Sequence, residues 1–293
     1  MKNAIVLNQI YKSYGPNRVF NGLDLTINKG GFYALLGKNG AGKSTLIRII
    51  MRHESYDKGS GKVFGQCISE DNPNLNQVVA LVSEATDYAL NKKLIKLFKS
   101  FESFYPKWNK NLFLSTCEKL QVNLNKRYFE LSRGQKMQLV FAAQYAICPE
   151  VLLLDEITSV LDAKARTLII SILEEFSNNG GTVVLATNMV SEIHYIADRL
   201  ILLEGGKVEL NFSVNELSKQ FIKIRKQPKE SHSLFDKQNC IKIGINSDHS
   251  VSYILPKDSV GSVEKIPEHY LDRRQVTAED AFFFFSQKTK ENL

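Results

Sequence analysis

A chain of 293 residues that is 43% hydrophobic and 24% charged holds enough apolar mass for one large core and a smaller second unit, which excludes disorder along its whole length. No run reaches the ~20 consecutive apolar residues of a membrane span, and Met1–Val6 lacks the apolar region of a secretory signal, so any membrane role is expected to come through a separate partner. The formal net charge of +7 gathers in two clusters: Lys92, Lys93, Lys96, Lys99, Lys107 and Lys110, then Lys219, Lys223, Arg225, Lys226 and Lys229. Such clusters read first as solvated helix faces, then as attraction to an anionic membrane leaflet, and only third as a nucleic-acid surface.

In chain order, Ala4–Leu7 and Leu23–Ile27 are predicted as early strands and Phe32–Leu36 as the strand before a glycine-rich loop. Ser44–Ile50 follows as a helix, and Val78–Val82 as the next strand. Between Asp87 and Ile147 strand signals vanish: Leu94, Leu97, Phe98, Phe101 and Phe104-Tyr105 recur at helical spacing and are expected to form a core stripe. Leu112, Cys117, Leu120 and Leu139–Ile147 suggest further helices, so this stretch reads as a helical insertion. Val151–Leu154 is a continuous apolar run, as expected of a strand buried on both faces. Thr182–Ala186 and Leu200–Leu203 are later strands, and Gly205-Gly206 turns into Lys207–Leu210. This alternation predicts an α/β unit with a mainly parallel sheet.

After a linker-like Gln227–Ser231, Cys240–Ile245 and Val251–Leu255 suggest a hairpin turned at Asn246-Ser247-Asp248. A closing helix is predicted from Val276, capped by Thr277 or a neighbour, and its Phe282–Phe285 run cannot all face one side. The four cysteines, Cys67, Cys117, Cys148 and Cys240, form no metal-type pair and read as buried or incidental thiols of a reducing compartment.

Chemistry concentrates in four segments. Gly37-Lys38-Asn39-Gly40-Ala41-Gly42-Lys43-Ser44-Thr45 fits the phosphate-cradling pattern G-x-x-x-x-G-K-[ST], in the strand–loop–helix setting the motif requires. Glycine at 40 and 42 lets backbone N–H groups curl around a phosphate, and the following helix adds its positive end. Lys43 would reach the β- and γ-phosphates and Ser44 would ligate Mg²⁺. Asp155-Glu156 ends an apolar strand with two carboxylates, one suited to holding Mg²⁺ and the next to polarising an attacking water. Leu131-Ser132-Arg133-Gly134-Gln135 precedes that pair and Ser159-Val160-Leu161-Asp162 follows it.

With these segments in this order, the chain resembles the ATP-binding subunit of ATP-binding-cassette (ABC) transporters over about residues 2 to 210. The resemblance implies an α/β P-loop NTPase core in residues 1–225, with a helical subdomain at about 87–150 and a small α+β accessory domain in 226–293. It implies ATP and Mg²⁺ as cofactors, with Tyr14 stacking on adenine, Gly37 to Thr45 (Lys38, Asn39, Gly40, Ala41, Gly42, Lys43 and Ser44 between them) around the phosphates, and Ser44, Glu84 and Asp155 at the metal. Glu156 is then the catalytic carboxylate, and Ser132, Gly134, Gln135 and Asp162 serve the nucleotide held by a second subunit.

Two subunits, identical or different, would sandwich two ATP molecules and drive a separate transmembrane permease seated near Asp87–Trp108. That places the chain in the cytoplasm, peripheral on the inner face of the membrane, with no nucleic-acid partner expected. Phe104-Tyr105-Pro106-Lys107-Trp108-Asn109 is similar to a segment of bacterial ABC ATPases linked to export of antimicrobial peptides or other amphipathic compounds. Three residues depart from the family pattern: Arg133 replaces a glycine, Glu84 a glutamine that coordinates Mg²⁺, and Asn188 the switch histidine, with His194 too far along to substitute. Asn188 and Arg133 leave open a low-turnover regulatory half of a heterodimer, and the basic clusters a soluble ABC-type ATPase acting on nucleic acid.

Overall fold

The structure, a computed structural model, describes residues 3–68, 72, 74–84, 93–188, 196–227, 240–257, 270–272, 276–277, 279–281 and 283–284. Contacts divide the chain into two units, residues 1–188 with 201–210, and residues 189–200 with 211–293.

The first unit opens with two long antiparallel strands, β1 (Asn3–Tyr14) and β2 (Asn17–Asn28), whose register sets Ile5 against Ile27, Leu7 against Leu25 and Ile10 against Leu23. Both run further than the apolar runs suggested, because β1 is also held by β4 on its other edge. In β2 the side chains of Phe20, Leu23, Leu25 and Ile27 are buried while Asn21, Asp24 and Thr26 face out, the period-2 pattern of a half-buried strand. The chain continues through β3 (Gly31–Leu36), helix α1 (Lys43–Ile50), β4 (Lys58–Val63), β5 (Gln66–Cys67), a short α2 (Leu75–Val78) and β6 (Val79–Ser83). The four-stranded sheet has the order β2-β1-β4-β5.

The helical subdomain follows: α3 (Leu94–Leu97), a 3₁₀ turn over Phe98–Ser100, α4 (Phe101–Phe104), α5 (Lys110–Lys119) and α6 (Arg133–Ala146). The single striped helix expected here is broken by the tighter 3₁₀ turn, which rotates the stripe. Phe98 stays buried and meets the tilted rings of Phe101 and Phe113 at 4.8 and 4.6 Å, whereas Phe104 is 72% exposed. Trp108 joins the cluster, 5.0 Å from Phe101 and 5.3 Å from Phe113.

The chain then returns through β7 (Val151–Asp155), a 3₁₀ turn at Ile157–Val160, the long α7 (Ala163–Asn178), β8 (Thr182–Thr187), β9 (Arg199–Glu204) and β10 (Lys207–Ser213). The second sheet has the order β10-β9-β3-β8-β7-β6, with β3, β8, β7 and β6 parallel. Val151–Leu154 are fully buried, as their continuous apolar run requires, and Leu46, Ile47, Ile49 and Ile50 of α1 join the same core.

Register fixes what emerges where. Leu36 pairs with Thr187, Asp155 with Ala186 and Ser83 with Asp155, so Gly37, Glu84, Glu156 and Asn188 all leave the sheet along one carboxyl edge. That edge is where open parallel sheets bind ligands.

The second unit carries a short helix, α8 (Leu217–Gln220), and three antiparallel strands, β11 (Phe221–Lys226), β12 (Ile241–Ile245) and β13 (Val251–Pro256), in the order β11-β13-β12. The expected hairpin is β12–β13, turned by Asn246 N–H donating to the Ser250 carbonyl and by His249 at φ +65°. The boundary expected at residue 225 falls inside β11, whose Ile224 pairs with Tyr253. Thr277 caps the closing helix, its hydroxyl accepting from Asp280 N–H at 3.1 Å. Of the phenylalanine run, Phe284 is buried against Phe221 and Phe283 is exposed, while Phe282 and Phe285 lie outside the described residues, as do His194 and residues 85–92.

Candidate functional site

The glycine loop is shaped by its own backbone. Gly40 and Gly42 take φ of +82° and +99°, a region that residues with a Cβ enter only under strain. A Cβ at Gly42 would also stand 2.8 Å from the Phe20 ring and 2.9 Å from Val19, so both space and conformation demand glycine. Gly42 begins α1, accepting from Leu46 N–H at 2.8 Å, so the loop leads directly into a helix N-terminus.

Lys43 is buried, and its ammonium donates to the carbonyls of Gly37 at 2.8 Å and Lys38 at 3.3 Å, folding back over the loop that precedes it. Lys38 itself pairs with Glu204 at 2.7 Å. Asn39 and Gly40 are exposed, Ala41, Ser44 and Thr45 half-buried.

The Ser44 hydroxyl donates to Asp155 Oδ1 at 3.0 Å, joining the start of α1 to the end of β7. Burial pushes the Asp155 carboxyl above its usual range; the Ser44 bond pulls it back and the neighbouring Glu156 charge pushes it up again. Glu156 adopts the left-handed backbone, φ +51°, held there by its N–H donating to Ala186 O at 3.0 Å. A glutamate in that conformation is strained, and the surrounding sheet maintains it. The bend aims its carboxylate back along the loop, where Oε1 lies 3.5 Å from the Lys43 ammonium. Asn188, one residue past β8, donates from Nδ2 to Asn39 Oδ1 at 3.3 Å. The fold thus brings the loop, Lys43, Ser44, Asp155, Glu156 and Asn188 into one constellation.

Tyr14 stands on β1, 42% exposed. The Lys12 ammonium lies 4.8 Å over its ring and is paired with Glu54 at 2.7 Å. Glu54 N–H reaches Arg48 O of α1, so the tyrosine is fixed relative to the loop's helix. Sequence reasoning missed Lys12 and Glu54, since residues so far apart carry no mutual signal in one chain.

The segment Leu131–Gln135 buries Leu131 and exposes Ser132 and Arg133. Ser132 caps α6: its hydroxyl accepts from Gln135 N–H and Gln135 Oε1 accepts from Ser132 N–H, both at 3.2 Å. A Cβ on Gly134 would stand 3.0 Å from the Val160 carbonyl, so the segment lies close against Ser159–Asp162. Asp162 in turn caps α7, accepting from Ala165 N–H at 2.8 Å. Glu84, expected at the metal, is instead held by Arg133, whose Nε and Nη2 donate to its two oxygens. That pairing keeps the Glu84 carboxyl below the usual carboxylate range.

The family model for ABC transporters matches residues 20–159. The methionine import ATP-binding protein MetN of Campylobacter jejuni is 32% identical over 240 residues, covering 73% of this chain and 71% of the relative. The Nod factor export ATP-binding protein I of a Rhizobium species is 31% identical over 212 residues, covering 70% of this chain and 69% of the relative. Among solved structures, a dimeric ATP-binding cassette in a post-hydrolysis state, bound to ADP and Pi, superposes with a TM-score of 0.63 at 22% identity, over 72% of this chain and 98% of that one. Identity above 30% over two thirds of a relative makes this chain a member of the ABC transporter family, an ATP-binding subunit.

Proposed function

We propose that this subunit hydrolyses ATP at the carboxyl edge of its parallel sheet and that the work is delivered to a transmembrane permease. The observation that carries the reading is the Ser44–Asp155–Glu156–Lys43 constellation, with Ser44 Oγ 3.0 Å from Asp155 and Lys43 Nζ 3.5 Å from Glu156. On nucleotide binding the Lys43 ammonium exchanges the Gly37 and Lys38 carbonyls for the β- and γ-phosphate oxygens, while the N–H groups from Lys38 to Thr45 surround the phosphates. Tyr14 offers its exposed ring to the adenine. Asp155 and Ser44 are hard oxygen donors within a hydrogen bond of each other, a fit to Mg²⁺, and burial raises the Asp155 carboxyl above its usual range. Mg²⁺ held there, with Glu84 as a third oxygen donor, would neutralise charge on the phosphates. Glu156, aimed along the loop by its left-handed backbone, accepts a proton from the attacking water.

Ser132, Gly134, Gln135 and Asp162 are proposed to complete the site of a second ATPase subunit, supported by the exposure of Ser132. The permease is proposed to seat beside the aromatic cluster of the helical subdomain, where Phe98, Trp108, Phe113 and Leu114 line a pocket of about 160 Å³. Phe104–Asn109 supports export of amphipathic compounds, although the relatives include both import and export proteins. No helix among the described residues is long and apolar enough to cross a membrane, which suits a peripheral subunit on the inner face.

A second reading, a low-turnover regulatory half, is favoured by Asn188, whose neutral amide meets Asn39 where the family places a titratable group. Glu156→Gln protein with Mg–ATP, followed by light scattering, tests the first reading: a dimer that disperses when nucleotide is removed is expected, and a monomer at high concentration overturns it. Single-turnover hydrolysis by the parent protein separates the second.

A further inference from the structure

Two departures from the family pattern, Arg133 and Glu84, meet in space. The Arg133 guanidinium spans both Glu84 oxygens, a two-pronged pairing that joins the start of α6 to the end of β6. Neither side chain is buried, with exposures of 69% and 51%. An ion pair this open to solvent is screened by salt and readily broken, so it holds the fold weakly and can change partners.

We infer that Arg133 and Glu84 exchange partners on loading: Glu84 turns to the metal, and the released guanidinium contacts the γ-phosphate held by the glycine loop of a second copy. The inference rests on the functional reading above. Three observations carry it. Arg133 is the first residue of α6, between Ser132 and Gly134, the two residues proposed to face the second copy's nucleotide, so its side chain starts beside the proposed contacts to that phosphate. Glu84 leaves the same sheet edge as Asp155, through the Ser83–Asp155 pairing, so the carboxylate that restrains Arg133 also borders the metal's donors. Asn188 brings a neutral amide to the loop where developing negative charge calls for a cation, and a planar guanidinium supplies one with the right fork geometry for phosphate oxygens. No bond is made or broken in the exchange; only ionic partners change.

The test uses full-length Glu156→Gln protein as parent, with dimerisation followed by analytical ultracentrifugation in Mg–ATP and monomer affinity by a fluorescent ATP analogue. Arg133→Gln, which leaves the start of α6 intact, is expected to weaken the ATP-dependent dimer by about tenfold, the loss of one charge-assisted contact. Monomer affinity should be unchanged, and Arg133→Lys should recover part of the loss. Glu84→Gln, which frees the arginine, should weaken the Mg²⁺ dependence of monomer binding, and adding Arg133→Gln to it should still weaken the dimer at saturating Mg–ATP. Arg133→Gln dimers as tight as the parent's or tighter would overturn the inference and leave the functional reading standing. A parent that does not dimerise overturns both.

Discussion

Lys43 and Ser44 have their proposed roles at adjacent positions, and that contiguity made them legible: a nine-residue motif carries its own geometry. Glu156 was legible by chemistry but not by conformation, since nothing local announces its left-handed backbone or the bond from its N–H to Ala186. Removing its charge as Glu156→Gln should leave ATP binding intact and lower steady-state turnover at least about a hundredfold, the usual worth of a positioned general base, read by phosphate release. Asn188→His should raise turnover roughly tenfold, because a charge-assisted bond to the γ-phosphate exceeds a neutral one by about 1.4 kcal/mol; a flat or lower rate counts against the proposed role. Asp155 sets stability against function. Burial holds its folded carboxyl above 3.8, so the folded chain keeps that proton to higher pH than the unfolded one. The associated stability is complete below 3.8 and lost as pH rises through the raised value, leaving a net cost at neutral pH. Asp155→Asn should therefore raise the melting temperature of the nucleotide-free protein by about 2 °C while abolishing the Mg²⁺ dependence of nucleotide binding.

Among the elements, those with unbroken apolar runs were foreseen and those with mixed patterns were not. Val151–Leu154 had to be a doubly buried strand, and is. Phe221–Lys226 hid as a basic cluster because its lysines and arginine alternate with Ile222 and Ile224; pairing with β13 makes it a strand, with Ile224 buried and Lys223 tied to Asp280 at 2.8 Å. The stripe from Leu94 to Phe104 failed for the opposite reason: its period was right, but the 3₁₀ turn at Phe98–Ser100 re-phased it and left Phe104 exposed. Ser132 has two occupations, as cap of α6 and as a proposed contact to a second copy's nucleotide. Ser132→Ala should cost about 1 kcal/mol of stability through the lost cap, and only a drop in ATP-dependent dimerisation beyond that, with Ser132→Asn restoring the cap but not the contact, would reveal the second role. Cys117, buried in α5, has its thiol pushed up to about 12, so alkylating reagents at neutral pH should modify it only after unfolding. Early labelling of Cys117 in mass spectrometry would contradict its placement.

The first unit is a cassette whose proposed site lies on one edge of a parallel sheet, and Ser132 and Arg133 are exposed. An ATPase built this way is expected to show a turnover that rises with the square of protein concentration at low concentration, because each site borrows residues from another copy; a rate strictly proportional to concentration down to nanomolar levels would argue for self-sufficient sites. The amino-acid sequence alone pointed to the family, through a phosphate-loop pattern and an acid pair, because each is a short stretch whose proposed function depends on neighbours along the chain. It left undecided which distant residues touch. Lys12 with Glu54, Asn39 with Asn188, and above all Arg133 with Glu84 are contacts between segments separated by whole elements. Their meeting follows from strand register and helix placement, and these depend on how the entire core packs rather than on any local run of residues.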